Sequence, residues 1–176
     1  MCVVGIDEAG RGPWAGPISF AAVCIKNNTE ATQVIKDKLK TKNSFKDSKK
    51  LSEKKREEIY REIISNDDIV FSHLFVSAEQ IDKSGLKKVL DTAPKNLLCN
   101  LKTNLKSAKI ILDGSLKLPS DFNFLSENKA DEKYFEVALA SIIAKVRRDK
   151  YMKNLSEKYP QYGFGSNKGY GTKKQF

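Results

Sequence analysis

The amino-acid sequence predicts a mixed α/β fold, one sheet with helices on its faces. Three observations predict it. Short apolar runs, "CVVGID" at 2–7, "ISFAAVCIK" at 18–26 and "AKIILDG" at 108–114, have the length of buried strands. Apolar residues at helical spacing follow in the segments 52–65, 78–102 and 131–159. Strands, then helices, then a strand and a long helix is an order that lays helices on a mixed sheet.

The first two runs are separated by the turn signals Pro13, Gly16 and Pro17, so they read as an antiparallel pair. Residues 30–41 carry a weak helical pattern, and "NSFKDSKKLS" at 43–52 is a polar loop. Ser52 is the N-cap of "EKKREEIYREIIS", where Ile59, Tyr60, Ile63 and Ile64 share a face and Glu57 stands four residues before Arg61. A third strand is expected at 69–76. Across 78–102 the breakers Gly85 and Pro94 predict two short helices or one kinked helix. A turn-rich stretch with Pro119 leads to a short strand near 122–125. The segment 131–159 is the strongest helix: Ala138, Ser141, Ile142, Lys145 and Val146 line one face, and its small residues let it approach a sheet closely.

A chain of 176 residues suits one domain, 1–176, whose C-terminal helical part starts at about 150. Its formal net charge of +10 favours a polyanionic partner, because lysines and arginines that neutralise phosphates release condensed counterions. Charge alone fits a merely lysine-rich proteome equally well. No apolar run reaches the length of about eighteen residues that a membrane span needs. Asp7, Glu8 and Arg11 interrupt any signal-peptide core, so a cytoplasmic location is expected. Cys2, Cys24 and Cys99 are odd in number, widely spaced and flanked by apolar residues, which predicts reduced core thiols and neither a zinc site nor a disulfide framework. His73 is the only histidine, and its strand-like surroundings "IVFSHLFVS" predict a structural role.

Two apolar runs end in acids, "VVGID" before Glu8 and "IILD" before Gly114. If those strands are parallel neighbours, Asp7 and Asp113 emerge at the same sheet edge, about 4.8 Å apart. Open α/β folds place their sites beyond such carboxyl ends. Regular pleating sends Asp7 and Glu8 to opposite faces, so a shared site requires the strand to finish or bulge there, which Gly10 and Gly12 make easy. Asp113 taken alone is ordinary Asp-Gly turn chemistry. The pair Asp7-Glu8 is harder to explain structurally, because adjacent carboxylates at a buried strand end repel unless a cation neutralises them. Oxygen-only ligands select Mg²⁺ or Mn²⁺ over zinc. Two such ions about 3.5–4 Å apart activate an attacking water and stabilise a leaving oxygen, so no histidine base is obligatory.

The blocks "GIDEAGRGPWAGP", "DSKKLS" with Arg56 nearby, "ILDG", "KADEKYFEVALASIIAKVRRD" and "YPQYGFGSNKGYGT", in this order from residue 5 to 172, resemble the bacterial ribonuclease HII family, the type 2 ribonucleases H. The resemblance implies a ribonuclease H-like mixed five-stranded sheet flanked by helices, with a C-terminal helical part. It implies four metal-binding catalytic acids, Asp7, Glu8, Asp113 and Asp131. Asp131 by itself is a helix N-terminal acid favoured by the macrodipole, and only the resemblance moves it into the site; Asp149 stays a salt-bridge residue. It also implies that Gly10, Arg11 and Gly12 read the ribose 2′-hydroxyl through backbone groups that no Cβ obstructs. In the same way Tyr170 is implied to pack on the following deoxyribose, and Ser48, Lys49, Lys50 and Lys168 to contact phosphates.

The activity so implied is endonucleolytic cleavage 5′ of a ribonucleotide in RNA/DNA hybrids and in DNA with embedded ribonucleotides. It would be driven by two Mg²⁺ or Mn²⁺ ions, leave 3′-hydroxyl and 5′-phosphate ends, and serve ribonucleotide excision and primer removal. The partner implied is a ribonucleotide-containing duplex. A monomer is expected, and no terminal sliding-clamp motif is evident. Three departures stand out: Ala130 where the family usually has glycine, Asn167 and Gln175 where histidine is frequent, and an end at Phe176 that is expected to shorten the duplex-gripping helical part. The rivals are a resolvase-like metal-dependent DNase and a non-catalytic basic binding module whose acids are turn residues.

Overall fold

The computed structural model describes residues 2–42, 45, 48–105 and 108–172, with the backbone alone at Lys49. Strands β1 (Val3–Ala9), β2 (Ile18–Ile25), β3 (Ile69–Val76), β4 (Lys109–Asp113) and β5 (Phe124–Glu127) form one sheet in the order β3-β2-β1-β4-β5. β2 is antiparallel to both β1 and β3, while β4 runs parallel to β1 and β5 parallel to β4. This is the mixed five-stranded sheet expected from the sequence. The helices are α1 (Glu30–Leu39), α2 (Glu53–Ile64), α3 (Ala78–Ser84), α4 (Leu86–Asn100), α5 (Ala130–Lys133), α6 (Phe135–Lys158) and α7 (Phe164–Asn167), with single 3₁₀ turns at Ser48–Lys50 and Pro160–Tyr162.

Strand alternation sorts the core into two layers. Val4, Ile6, Phe20, Ala22, Ile110 and Leu112 face α4, where Val89, Leu97 and Leu98 cover them. Ala21 and Val23 face the other way and pack with α6, α1 and α2. α6 lies directly on β1: a Cβ added at Gly5 would stand 2.3 Å from the backbone of Glu136 and Val137. Ala138, Ala140 and Ala144 in α6 are buried with almost no exposure, which is the close approach that small residues permit. Ser52 caps α2 as predicted, its side chain accepting the Lys55 N–H.

Three sequence expectations are corrected. Two helices do span 78–102 as expected, but Pro94 does not act as a breaker: the interruption falls at Gly85 alone, φ 81°, and α4 runs through Pro94 because buried Leu90, Ala93, Leu97 and Leu98 hold it on both sides of the proline. The long helix is broken at Tyr134, whose extended backbone divides a four-residue α5 from a 24-residue α6. The cysteines are not three isolated core thiols: the β1–β2 register that pairs Val4 with Cys24 also brings Cys2 up against Cys24, Cα atoms 7.0 Å apart. Cys99 is free but exposed, on the side of α4 opposite Leu97 and Leu98.

His73 has the structural surroundings expected of it. Its Nε2 meets Ser19 Oγ at 2.8 Å, and burial, with the Arg147 charge nearby, lowers its pKa to about 4.

Candidate active site

The parallel pairing of β1 with β4 ends at Ile6 and Leu112, and one further step along that register sets Asp7 beside Asp113. The antiparallel pairing with β2 continues regularly through Asp7↔Ala21, Glu8↔Phe20 and Ala9↔Ser19. The strand therefore neither finishes nor bulges at the acids, contrary to expectation. By strand alternation from Val4 and Ile6, Asp7 lies on the α6 side and Glu8 on the α4 side.

α5 supplies the fourth acid. Lys129 adopts a left-handed backbone, φ 57°, that turns the chain sharply into α5. The Ala130 N–H then donates to Asp113 Oδ1 at 2.7 Å, and Asp131 follows, buried beside it. Alanine in place of the family's usual glycine leaves this bond intact. Asp7 is buried, and its Oδ1 accepts the Glu8 N–H at 2.7 Å. Burial and the negative charges of Glu8, Asp113 and Asp131 hold the Asp7 carboxyl well above its ordinary pKa, against the lowering effect of that backbone hydrogen bond. The four acids thus act on one another.

Among the described residues no three of these acids converge on a single point. Glu8 Oε1 lies 3.3 Å from Arg11 Nη1, and Asp113 is held by Ala130. The donor set still fits a hard divalent cation: every ligand on offer is a carboxylate oxygen, and a cation among them would relieve the like-charge repulsion at Asp7.

A cleft of about 290 Å³ opens above the acids. Glu8, the Gly10-Arg11-Gly12 turn, Asp113, Lys145, Arg148 and Tyr170 line it. Gly10 has φ 110°, a conformation glycine adopts without strain, and a Cβ on Gly12 would stand 3.7 Å from the Tyr170 ring. The turn and the tyrosine expected to read the sugar therefore face each other. Lys145 and Arg148 were not anticipated as cleft residues. Their signal was present in two cations on the otherwise apolar face of α6, where Lys145 Nζ also pairs with Asp149 Oδ1 at 2.7 Å. Asp149 is thus the salt-bridge residue expected.

The expected phosphate contacts are placed less directly. Ser48 Oγ is buried against Ser141 Oγ at 2.6 Å, and the Ser48 carbonyl accepts Arg56 Nη1 at 2.6 Å, so this serine braces the loop against α6. Lys50 Nζ lies 3.6 Å from Glu132, next to Asp131. Lys168 turns its ammonium to the Gly165 carbonyl, and burial lowers its pKa. Asn167 accepts the Gly169 N–H and donates to the Tyr162 carbonyl, both at 2.7 Å, so it shapes the loop that carries Tyr170. Gln175 and the side chain of Lys49 lie outside the described residues.

The sequence profile of the ribonuclease HII family matches residues 4–176. Ribonuclease HII of Fusobacterium nucleatum is 42% identical over 174 residues, covering 97% of this chain and 75% of that one. Ribonuclease H2 from Pyrococcus horikoshii OT3 superposes with a TM-score of 0.76 at 30% identity, over 98% of this chain and 82% of that one. The RNase HII of Archaeoglobus fulgidus, solved in complex with PCNA, superposes with a TM-score of 0.72 at 31% identity over the same shares. Sheet order, acids gathered from β1, β4 and α5, and a profile match along nearly the whole length agree: this chain belongs to the ribonuclease HII family and is a ribonuclease H.

Proposed function

We propose that the chain hydrolyses the phosphodiester on the 5′ side of a ribonucleotide, in RNA/DNA hybrids and in duplex DNA with embedded ribonucleotides, leaving 3′-hydroxyl and 5′-phosphate ends. One observation carries this reading: Glu8 and Asp113 line the same cleft as the Gly10-Arg11-Gly12 turn and Tyr170, with Gly12 next to the tyrosine ring. Acids suited to phosphoryl chemistry and a turn suited to a 2′-hydroxyl are within one nucleotide's reach of each other.

In this mechanism the glycine turn offers backbone N–H and C=O groups to the 2′-hydroxyl, which both donates and accepts. Tyr170, with a half-exposed ring, stacks on the next sugar and favours one that lacks the hydroxyl. Lys145 and Arg11 bring positive charge to the phosphate at the cleft. Asp7, Glu8, Asp113 and Asp131 would hold two Mg²⁺ or Mn²⁺ ions, which when bound supply activation of the attacking water and charge neutralisation at the leaving oxygen. Ribonucleotide excision and primer removal, as a cytoplasmic monomer, are the biological role this activity supports. No helix among the described residues is long and apolar enough to cross a membrane.

The test is cleavage of a DNA duplex with one embedded ribonucleotide, beside its all-DNA counterpart, in Mg²⁺, Mn²⁺ or chelator, with the cut position mapped. Cleavage 5′ of the ribonucleotide, dependent on metal, is expected. Equal cleavage of the all-DNA duplex would point to a DNase, and binding and metal response unaltered by Asp7→Asn would point to a non-catalytic module.

A further inference from the structure

We infer that Arg148 is a specificity-determining positioning residue, whose guanidinium ties the ribose-sensing turn to the loop carrying Tyr170 so that both read one nucleotide at a fixed spacing. The inference rests on the function proposed above.

Arg148 is 1% exposed, the largest side chain so completely buried among the described residues. Such a cation is costly to bury, and its partners show what it holds. Nε donates to the Pro17 carbonyl at 2.9 Å, one Nη to the Ala15 carbonyl at 3.1 Å, and the other to the Lys168 carbonyl at 2.9 Å. Two acceptors belong to the loop that leaves the Gly10-Arg11-Gly12 turn, and the third precedes Tyr170 by two residues. The planar fork therefore bridges two chain segments that are far apart in sequence.

The same side chain underlies both reading elements. A Cβ on Gly10 would lie 2.3 Å from Arg148 Nε, so the turn rests on the guanidinium stem. The Tyr170 ring centroid is 6.0 Å from its central carbon. A second tie runs alongside: the Trp14 and Ala15 N–H groups donate to the Gly169 carbonyl at 2.9 and 3.3 Å. Gly169 has φ 84°, and a Cβ there would stand 2.3 Å from the Ala15 carbonyl oxygen, so this seam is closed backbone to backbone.

The acids are positioned independently. Asp7, Glu8 and Asp113 belong to the sheet and Asp131 to α5, and no Arg148 acceptor lies on those elements. Loosening Arg148 should therefore disturb which sugar is accepted, while the carboxylate cluster keeps its affinity for cations.

The experiment compares Arg148→Lys with the wild type on two substrates in Mn²⁺, a DNA duplex with one embedded ribonucleotide and a continuous RNA/DNA hybrid, alongside Mn²⁺ titration calorimetry. Lysine keeps the charge and loses the fork. Expected is a fall in kcat/KM of about 100-fold on the single ribonucleotide, the scale of a 1 Å misplacement, and less than about tenfold on the hybrid, where every register offers a 2′-hydroxyl. The Mn²⁺ isotherm should be unchanged. Equal losses on both substrates, or none, would overturn the inference. Should Arg148→Lys fail to fold, Gly169→Ala opens the same seam from its other side, and the ratio of the two rates decides in the same way. A wild-type chain that leaves the single-ribonucleotide duplex intact overturns the proposed function and this inference together; an unshifted ratio in the variant overturns this inference alone.

Discussion

Asp113 Oδ1 accepts the backbone N–H of Ala130 at 2.7 Å, and this one bond locks the end of β4 to the start of the short helix that carries Asp131. Asp113 thus orients another acid as well as presenting its own charge. Asp113→Asn retains an acceptor oxygen and loses the charge; Asp113→Ala loses both. Cleavage should fall by at least about 100-fold in each, the upper scale for disturbing a ligand's support. Only the alanine variant should also lose stability, by about 2 kcal/mol for a hydrogen bond to a charged group. Single-turnover cleavage and urea unfolding in chelator separate the two effects.

Asp7 provides a test of metal binding. Its raised pKa means that it contributes to stability below the ordinary value of 3.8, and that this contribution is lost as pH rises through the raised value. As pH rises the carboxylate is forced towards its unfavourable ionised form, and a divalent cation has more to relieve. Mn²⁺ should raise the melting temperature more at pH 8 than at pH 5, where protons compete for the same oxygens. Asp7→Asn in chelator at pH 8 should melt about 2–4 °C above the wild type, the change that 1 kcal/mol makes in a chain of this size. Its response to Mn²⁺ should shrink. Differential scanning calorimetry at the two pH values checks both expectations.

His73 predicts acid sensitivity of a different kind. Its pKa in the fold, about 4, lies below the ordinary 6.5 because of burial and, second, the Arg147 charge. A base with a depressed pKa supports the fold above its ordinary value and loses that support as pH falls through the folded value. Between pH 6.5 and 4 the loss should reach about 2 kcal/mol after allowance for the ring's partial exposure. His73→Gln, which can still meet Ser19 Oγ, should flatten that part of a stability–pH profile measured by urea unfolding.

Gly5 is the point where β1 and α6 touch. Gly5→Ala would place a methyl 2.3 Å from helix backbone atoms, which no rotamer can relieve. A loss of about 3 kcal/mol, the upper end for overpacking, is expected in chemical denaturation. Because the displacement would start two residues before Asp7, metal affinity should fall as well.

Lys145 lines the cleft and pairs with Asp149. Lys145→Met should weaken binding of hybrid duplexes of any sequence and lower the slope of log affinity against log salt by about one. Fluorescence anisotropy over a salt series measures it. An unchanged slope would place the ammonium away from phosphate.

Much of this architecture was legible because local physics and tertiary physics agree. The apolar runs became β1, β2 and β4, Ser52 capped α2, and "IVFSHLFVS" became β3 because each segment had one clear period or one clear signal. The misreadings came where tertiary contacts override local ones. Pro94 is carried through α4 by buried neighbours, and Tyr134 interrupts a continuous helical pattern where α5 is drawn to Asp113. Ser48, expected at the surface with phosphate, is instead half of a buried hydroxyl pair.

By itself the sequence determined most of the strands and helices and the presence of acids on β1 and at the end of β4, since these follow from periodicity and from which residues tolerate burial. Only the tertiary structure decided the register that sets Asp7 beside Asp113, the approach of Cys2 to Cys24, and the convergence of the glycine turn, Tyr170 and Arg148 on one cleft. Those are contacts between residues far apart along the chain. Their geometry comes from how the layers pack, which no local pattern of residues encodes.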